Sequence, residues 1–527
     1  MKRKTWIVSA LMYTLVFLVC FGVLHVFKKI TTAIDSTEYT TETGADTDIV
    51  IDGTDNDADP DKDHKNGKND GNGEAGPSGD TEETQDEIDG RGTHHIRRET
   101  GYKGWNKTIE QVWPAVPQEL PYAPPKIIQA TDVHYQSADA EDDGAAFQLF
   151  VERCDGKVVK YLPQLLDAFM DQVIAEKPSA LVLSGDITMN GEKINHEELA
   201  RKLGKVQEAG IPVLVIPGNH DINNPNAAVY FGDEKTVADS VTPEEFYDIY
   251  HMYGYDQAIS RDSASLSYVY QLDERNRLLM LDSCQYEPEN LVEGRIKAET
   301  LVWMDEQLKK AQEDGMQILP IAHHNLLAQS RMYTTQCAMD NNGEVIDLLQ
   351  KYKIPLFLSG HLHVQRIRKH KAEPGVADDA YGIQEIVTDA ISIPPCQYGI
   401  LQWKADGSME YSTESVDVSA WARRTGQENT DLLDFETWSE EYLQKLISDQ
   451  IGGVVRNVGS DVKRSMAETY ADVYIDYYAG RKIDAKGIRT SEGYTWWERN
   501  LPDSYLIKEL NAMINDADRD NNYLLLP

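Results

Sequence analysis

The chain reads as an α/β protein with a helical C-terminal region. Six short apolar runs lie between residues 126 and 361, and each ends in a polar or glycine-bearing turn. Long amphipathic segments separate several of them. Strands alternating with helices at this spacing build a sheet whose strand ends form the site. Past residue 405 helical periodicity takes over.

The runs are KIIQATD (126–132), ALVLSGD (180–186), VLVIPGN (213–219), LLMLDS (278–283), ILPIAHH (318–324) and LFLSGH (356–361). Each is rich in Ile, Leu and Val, as strands buried on both faces are. Helical patterns cover 158–176, with Pro163 near the first turn, and 197–210 and 298–315, both ending in Gly. Further helices are expected over 429–457 and 460–482. There Tyr470, Tyr474, Tyr477 and Tyr478 recur at helical spacing and read as core.

The ends of the chain differ from its middle. Residues 6–27 are almost entirely apolar, close to the ~20 residues that cross a bilayer. Residues 1–29 are therefore expected to be a signal anchor. Lys2, Arg3 and Lys4 precede the span, against Lys28 and Lys29 after it, which favours the bulk of the chain outside the cell. It would be secreted if the segment is cleaved. Residues 30–100 read as an acidic, disordered linker, with 19 carboxylates and three lysines between Asp35 and Gly90. The remainder divides into a catalytic domain, 101–405, and a helical region, 406–527. Cys154, Cys284, Cys337 and Cys396 are widely spaced, which leaves open two disulfides or buried thiols.

The formal charge of −37 argues against a nucleic-acid polymer as partner, because phosphates need Lys and Arg for neutralisation. A small anionic substrate stays open, since metal ions reverse the sign of a site locally. No protein partner can be named from the sequence.

Five strand ends carry metal-binding chemistry. Asp132 and His134 stand in ATDVHY, and Asp186 in LSGDIT. Asn219, His220 and Asp221 stand in IPGNHD, His323 and His324 in PIAHHN, and His361 and His363 in LSGHLH. Any one segment has an ordinary explanation as a helix cap, a turn or a core histidine. All five in one order do not. Carboxylates and imidazoles suit divalent first-row metals such as Mn, Fe, Zn or Ni. A pair of such ions clamps the attacking and leaving oxygens of a phosphoryl group and makes hydroxide available at neutral pH.

The order D-x-H, GD, GNHD, H, GHxH over residues 126–405 resembles the calcineurin-like metallophosphoesterase superfamily. That resemblance implies a β-sandwich flanked by helices. It implies that Asp132, His134, Asp186 and His363 hold one ion, and that Asp186, Asn219, His323 and His361 hold the other, with Asp186 bridging. Mn and Fe are the implied ions, with Zn as an alternative. His220 is implied to stabilise the transition state or protonate the leaving oxygen, and Asp221 to orient His220. His323 rather than His324 matches the family's ligand, although Asn325 stands where the family often has Pro.

The stretches GDITMNGEKINHEELARKL, IPGNHDINNP and YGYDQAISRDSASLSY are similar to secreted bacterial class III cyclic-nucleotide phosphodiesterases. The implied reaction is hydrolysis of a phosphodiester by a metal-bound hydroxide, with cyclic nucleotides first among substrates. External nucleotides, phospholipid head groups and phosphate-linked wall polymers are alternatives. So are a phosphomonoesterase or nucleotidase with the same centre, and an inactive surface binding protein. Tyr253–Tyr270 is expected near the site surface. Asn223 and Asn224 are candidates for substrate contact or for loop hydrogen bonding.

Overall fold

The computed structural model describes residues 122–370, 382–455 and 458–527. The expected anchor (1–29) and linker (30–100) lie outside these residues. Among the described residues no helix is long and apolar enough to cross a membrane.

The fold is α/β with a C-terminal helical region. Its first three strands are β1 (Lys126–Ala130), β2 (Ala180–Ser184) and β3 (Val213–Ile216). A small hairpin follows, β4 (Ala228–Phe231) and β5 (Glu234–Val237), then β6 (Ser260–Arg261), β7 (Tyr268–Gln271) and β8 (Asn276–Leu281). Next come β9 (Gln317–Ala322), β10 (Leu356–Ser359), β11 (Arg366–Lys369) and β12 (Gln384–Val387). The last are β13 (Gln397–Trp403), β14 (Met409–Ser415) and β15 (Tyr523–Leu526). They form a six-stranded sheet, β15-β14-β13-β1-β2-β3, and a seven-stranded sheet, β11-β12-β10-β9-β8-β7-β6. The six apolar runs are β1, β2, β3, β8, β9 and β10. Pairing is parallel across β1–β2–β3 and across β8–β9–β10–β12. The carboxyl ends of these strands therefore share one rim in each sheet.

Alternation along the strands builds the layers. Leu278 and Met280 of β8 join Leu319, Ile321, Leu356 and Leu358 against Ile128 and Leu181 in the core between the sheets. Leu279 and Leu281 point the other way, onto Met304 and Leu308 of the helix Ala298–Glu313. On the far side Leu165, Phe169 and Val173 of the helix Leu162–Glu176 close the first sheet. Pro163 sits in that helix's first turn, where its missing N–H costs nothing.

Two expectations change. The division at residue 405 falls in the turn between β13 and β14, so the run from 406 onward is not purely helical. β14 pairs with β13 from Gln397↔Ser415 to Trp403↔Met409, and β15 pairs with β14. Helices occupy Val418 to Asp516 between these two strands. β14 (MEYSTES) buries Met409 and Tyr411 in a largely polar stretch, so long-range pairing rather than local propensity decides it. Second, part of Tyr253–Tyr270 is core rather than surface. Tyr253, Tyr255 and Tyr268 are buried in the core, and the Tyr268 hydroxyl donates to Val215 O behind β3. The four cysteines are free, and Cys154, Cys284 and Cys396 are buried.

In the helical region Phe435–Val454 packs on Ser460–Tyr478, and Tyr470, Tyr474, Tyr477 and Tyr478 are all buried. Glu509, on the helix Tyr505–Asp516, is buried beside them and accepts a 2.7 Å hydrogen bond from the Tyr470 hydroxyl. Burial pushes its carboxyl up to about 8, with the Tyr470 bond opposing. The folded state thus holds a proton that the unfolded state releases near the ordinary Glu value. Its stability contribution is complete below that value and is lost as pH rises through about 8. Glu509→Gln is expected to remove this pH dependence. Between pH 5 and 9 the variant should gain on the order of 1–3 kcal/mol relative to the parent, read by denaturant unfolding at both pH values.

Candidate metal centre

The nine residues expected at the site stand at or just past the carboxyl ends of β1, β2, β3, β9 and β10. The local backbone there is unusual. Asp132, His134, Asp186, His361 and His363 all have positive φ, between 46° and 69°. A side chain in this left-handed region costs roughly 1–2 kcal/mol, and such residues cluster at functional sites. Local sequence does not favour the geometry, so the surrounding bonds must impose it. Thr131 Oγ1 and the His361 N–H both donate to Asp132 Oδ2, at 2.8 and 2.9 Å. Ser392 Oγ donates to Asp132 O at 2.7 Å. The His220 N–H donates to Asp186 Oδ1 at 2.7 Å.

Gly218 allows β2 and β3 to deliver their turns side by side. A Cβ there would lie 2.1 Å from the Asp186 nitrogen. Gly218→Ala is therefore expected to cost several kcal/mol, on the scale of ~3 for overpacking against backbone, and to displace Asp186. A thermal melt followed by circular dichroism checks the first part, and bound-metal analysis the second.

Two sets of ligand atoms converge. Asp132, His134, Asp186 and His363 form one cluster, and His323, His324 and His361 another, each with its ligand atoms within 4.8 Å of one another. In the first, His363 Nε2 lies 3.1 Å from Asp132 Oδ1 and 3.0 Å from His134 Nε2. Asp132 Oδ1 is nonetheless buried with no hydrogen-bond partner. Lone pairs facing one another in this way fit a cation among them. In the second, His323 Nε2 lies 3.2 Å from both Asp186 Oδ2 and Asn219 Oδ1. Asp186 Oδ2 is also 4.0 Å from His134 Nε2, so one oxygen faces both sets.

The remaining ring nitrogens have protein partners that fix tautomers. His323 Nδ1 donates to Ser184 O at 3.0 Å, and His361 Nε2 donates to Gln336 O at 2.8 Å. That leaves His323 Nε2 and His361 Nδ1 as the free lone pairs. His324 has none to offer. Its Nε2 donates to Val292 O at 2.9 Å, and its Nδ1 accepts from Ser283 Oγ at 2.8 Å.

The electrostatics suit divalent ions. Burial pushes the Asp186 carboxyl up, but the imidazoles of His323, His220 and His134 outweigh it and hold it well below the usual carboxylate range. Burial, with the Lys157 ammonium second, pushes His134 well down, so its ring is neutral and able to ligate. Burial pulls His323 down, but Asp186 and then Asp132 raise it to about 9. The same field would hold an ion in place of that proton.

His220 is partly exposed beside this centre, its ring centroid 4.8 Å from that of His134. Its Nδ1 donates to Met189 O at 2.7 Å, with Asn190 Oδ1 at 3.2 Å. Here the structure corrects the role expected of Asp221. Its carboxylate does not orient the His220 ring. It accepts from the Gly218, Ile187 and Thr188 N–H groups and from Thr188 Oγ1 at 2.8–3.2 Å, and so ties the β2 turn to the β3 turn. Four donors satisfy the carboxylate where it stands, and the Met189 carbonyl takes the His220 proton instead. Asn223 and Asn224 are loop hydrogen-bonders, donating to Tyr286 O and His220 O.

The supporting residues Thr188, Met189, Asn190, Gln336 and Ser392 did not emerge from sequence. The first three follow the GD pair, and that adjacency was the available signal. Gln336 acts through its backbone carbonyl, which no side-chain pattern marks.

Two facing sheets with seven metal-competent side chains at their common rim define a scaffold for a metal centre. Residues 125–365 match the calcineurin-like phosphoesterase family, and residues 417–520 match the C-terminal domain of cyclic nucleotide phosphodiesterase. Residues 125–365 thus carry a calcineurin-like phosphoesterase domain. A "Probable cyclic nucleotide phosphodiesterase" of Synechococcus is 26% identical over 187 residues, 35% of this chain and 58% of that protein. One of Psychrobacter arcticus is 23% identical over 247 residues, 46% of this chain and 76% of that protein. The chain thus spans little more than half the length of the first of these relatives. Among solved structures, a dimetal phosphatase from Danio rerio aligns with 56% of this chain and 97% of its own, at 14% identity and a TM-score of 0.40.

Proposed function

We propose that the protein is a dinuclear metal-dependent phosphodiesterase acting on a small phosphodiester, with cyclic nucleotides as its first substrate class. The observation that carries this is the joint presence of the converged centre and the 417–520 match to the C-terminal domain of cyclic nucleotide phosphodiesterase. Mn or Fe are the proposed ions, with Zn as the alternative. Asp132, His134, Asp186 and His363 would hold one ion, and Asp186, Asn219, His323 and His361 the other. Two ions bound there would lower the pKa of water and neutralise charge building on the phosphoryl oxygens.

The chain's own residues supply the rest. His220 is anchored through Nδ1–H on Met189 O and sits beside the centre, its ring against that of His134. Protonated, it would deliver its Nε2 proton to the departing alkoxide. The buried Asp132 and Asp186 hold the ligand field rigid. Read with the apolar segment 6–27, the catalytic part would work outside the cytoplasm, held at the membrane or released.

The test uses the purified full chain, stripped by chelator and reloaded with Mn, Fe, Zn or Mg. Bis-p-nitrophenyl phosphate is compared with p-nitrophenyl phosphate, and then with 3′,5′-cyclic nucleotides. Metal-dependent diester cleavage supports the reading. Cleavage of the monoester alone would replace it with a phosphomonoesterase, and two tightly bound ions with no turnover of any ester would leave a binding protein.

A further inference from the structure

The centre does not stand on the two sheets alone. The segment that carries His361 and His363 is built into the helical region. Leu362, between the two histidines, and Val364 are buried in one apolar cluster with Tyr470, Tyr474, Tyr477 and Ile483. The Gln365 N–H donates to Tyr478 O at 2.9 Å, and Gln365 Nε2 donates to Asn521 O at 2.9 Å.

A second connection reaches His361 from the other side. Its Nε2 proton goes to the Gln336 carbonyl in the loop after β9. Gln336 has φ of +62°, a conformation its side chain disfavours, so the loop must be held to present that carbonyl. The holding groups belong to the helical region. Ser330 Oγ pairs with the Tyr477 hydroxyl at 2.5 Å, and the Tyr333 and Tyr478 hydroxyls bond each other. The Arg331 N–H donates to Asp516 Oδ2 at 2.7 Å, and Arg331 Nε lies 3.2 Å from Asp516 Oδ1. On the catalytic side Gln336 Nε2 donates to Glu293 Oε1 at 2.6 Å.

We propose that the C-terminal helical region is a positioning element for the ion held by His361: Tyr477, Tyr478 and Asp516 clamp the 330–336 loop so that Gln336 O takes the Nε2 proton and Nδ1 faces the ion. This rests on the dinuclear reading above. A ligating histidine whose other N–H loses its acceptor can rotate and change tautomer, and such losses typically weaken metal binding 10–100-fold. The clamp on the 330–336 loop thereby acts on one ion selectively, because the loop reaches His361 and not His363. Asp132, His134 and His363 hold the other ion from residues the loop does not touch.

The experiment titrates Mn(II) into the chelator-stripped full chain and reads free Mn(II) by electron paramagnetic resonance. The parent, Tyr333→Phe, Tyr478→Phe, the double variant and Asp516→Asn are compared. Trp497→Phe serves as control, since Trp497 is fully buried in the helical region and is not among the clamping groups. The parent should bind two ions. In the clamp variants one ion should keep its parental affinity while the other weakens by roughly 10-fold or more. The double variant should be no worse than either single one, because both remove the same bond. The control should lower the melting temperature and leave both affinities unchanged.

Parental affinities in all clamp variants would overturn the proposal, as would an equal loss in Trp497→Phe. Tyr333→Phe lies outside the helical region, so the test survives if a helical variant fails to fold. A parent that binds fewer than two ions would instead overturn the dinuclear reading, an outcome distinct from two ions that ignore the clamp.

Discussion

Asp186→Asn is expected to abolish turnover, by roughly 10³-fold or more, and to strip the protein of both ions at concentrations that saturate the parent. The reason is geometric. Asp186 Oδ2 lies 3.2 Å from His323 Nε2 in one ligand set and 4.0 Å from His134 Nε2 in the other. The substitution removes a negative charge from both sets while keeping the size of the side chain. Oδ1 can still accept from the His220 N–H, so the turn should survive. Asp132→Asn makes the contrast. Asp132 Oδ1 faces His363 and His134, and lies in only one of the two sets. That variant should retain one ion per chain. Elemental analysis after gel filtration reads both results. Two ions retained in Asp186→Asn would show that this carboxylate does not bridge.

The candidate centre was legible in the sequence because its metal-competent side chains sit where strands end. A fully buried parallel strand must be apolar along its length, so a charged residue at its terminus stands out. ALVLS followed by Gly-Asp is such a case, and LFLS followed by Gly-His is another. What sequence could not carry was the pairing of the last two strands. β14 joins the first sheet because β13 offers it an edge, and β15 because β14 does; no local pattern in MEYSTES demands the pairing. Nor could it carry the role of Asp221. Four donors converge on that carboxylate from the turns after β2 and β3, and only the folded chain brings them there.

The left-handed backbone at five ligand positions was likewise invisible. Asp132, His134, Asp186, His361 and His363 have no shared local sequence that selects positive φ. At ~1–2 kcal/mol each the strain is comparable with the net stability of a domain. It is tolerable because buried bonds over-determine each residue, such as the pair that Thr131 and His361 make to Asp132 Oδ2. Rigidity of this kind suits a site whose ligands must stay aligned while an ester reacts.

His220→Ala should leave metal content unchanged and lower kcat by roughly 10²–10⁴-fold on a substrate with a poor leaving group. Its backbone N–H still reaches Asp186 Oδ1 in the variant, and its ring belongs to neither ligand set. What is lost is the imidazole whose Nδ1 is pinned to Met189 O and whose Nε2 is free to hold a proton. Proton delivery matters in proportion to the basicity of the oxygen that departs. A ribose alkoxide needs the proton, whereas p-nitrophenolate leaves without it. The ratio of parent to variant rates should therefore be much larger for a 3′,5′-cyclic nucleotide than for bis-p-nitrophenyl phosphate. Equal losses on the two substrates would assign His220 to charge stabilisation at phosphorus, because that interaction is made whichever group departs. The same pair of assays on Asp221→Asn separates support from chemistry. Its four donors hold the β2 and β3 turns together, so its losses should be the same for both leaving groups and should appear as a lower melting temperature.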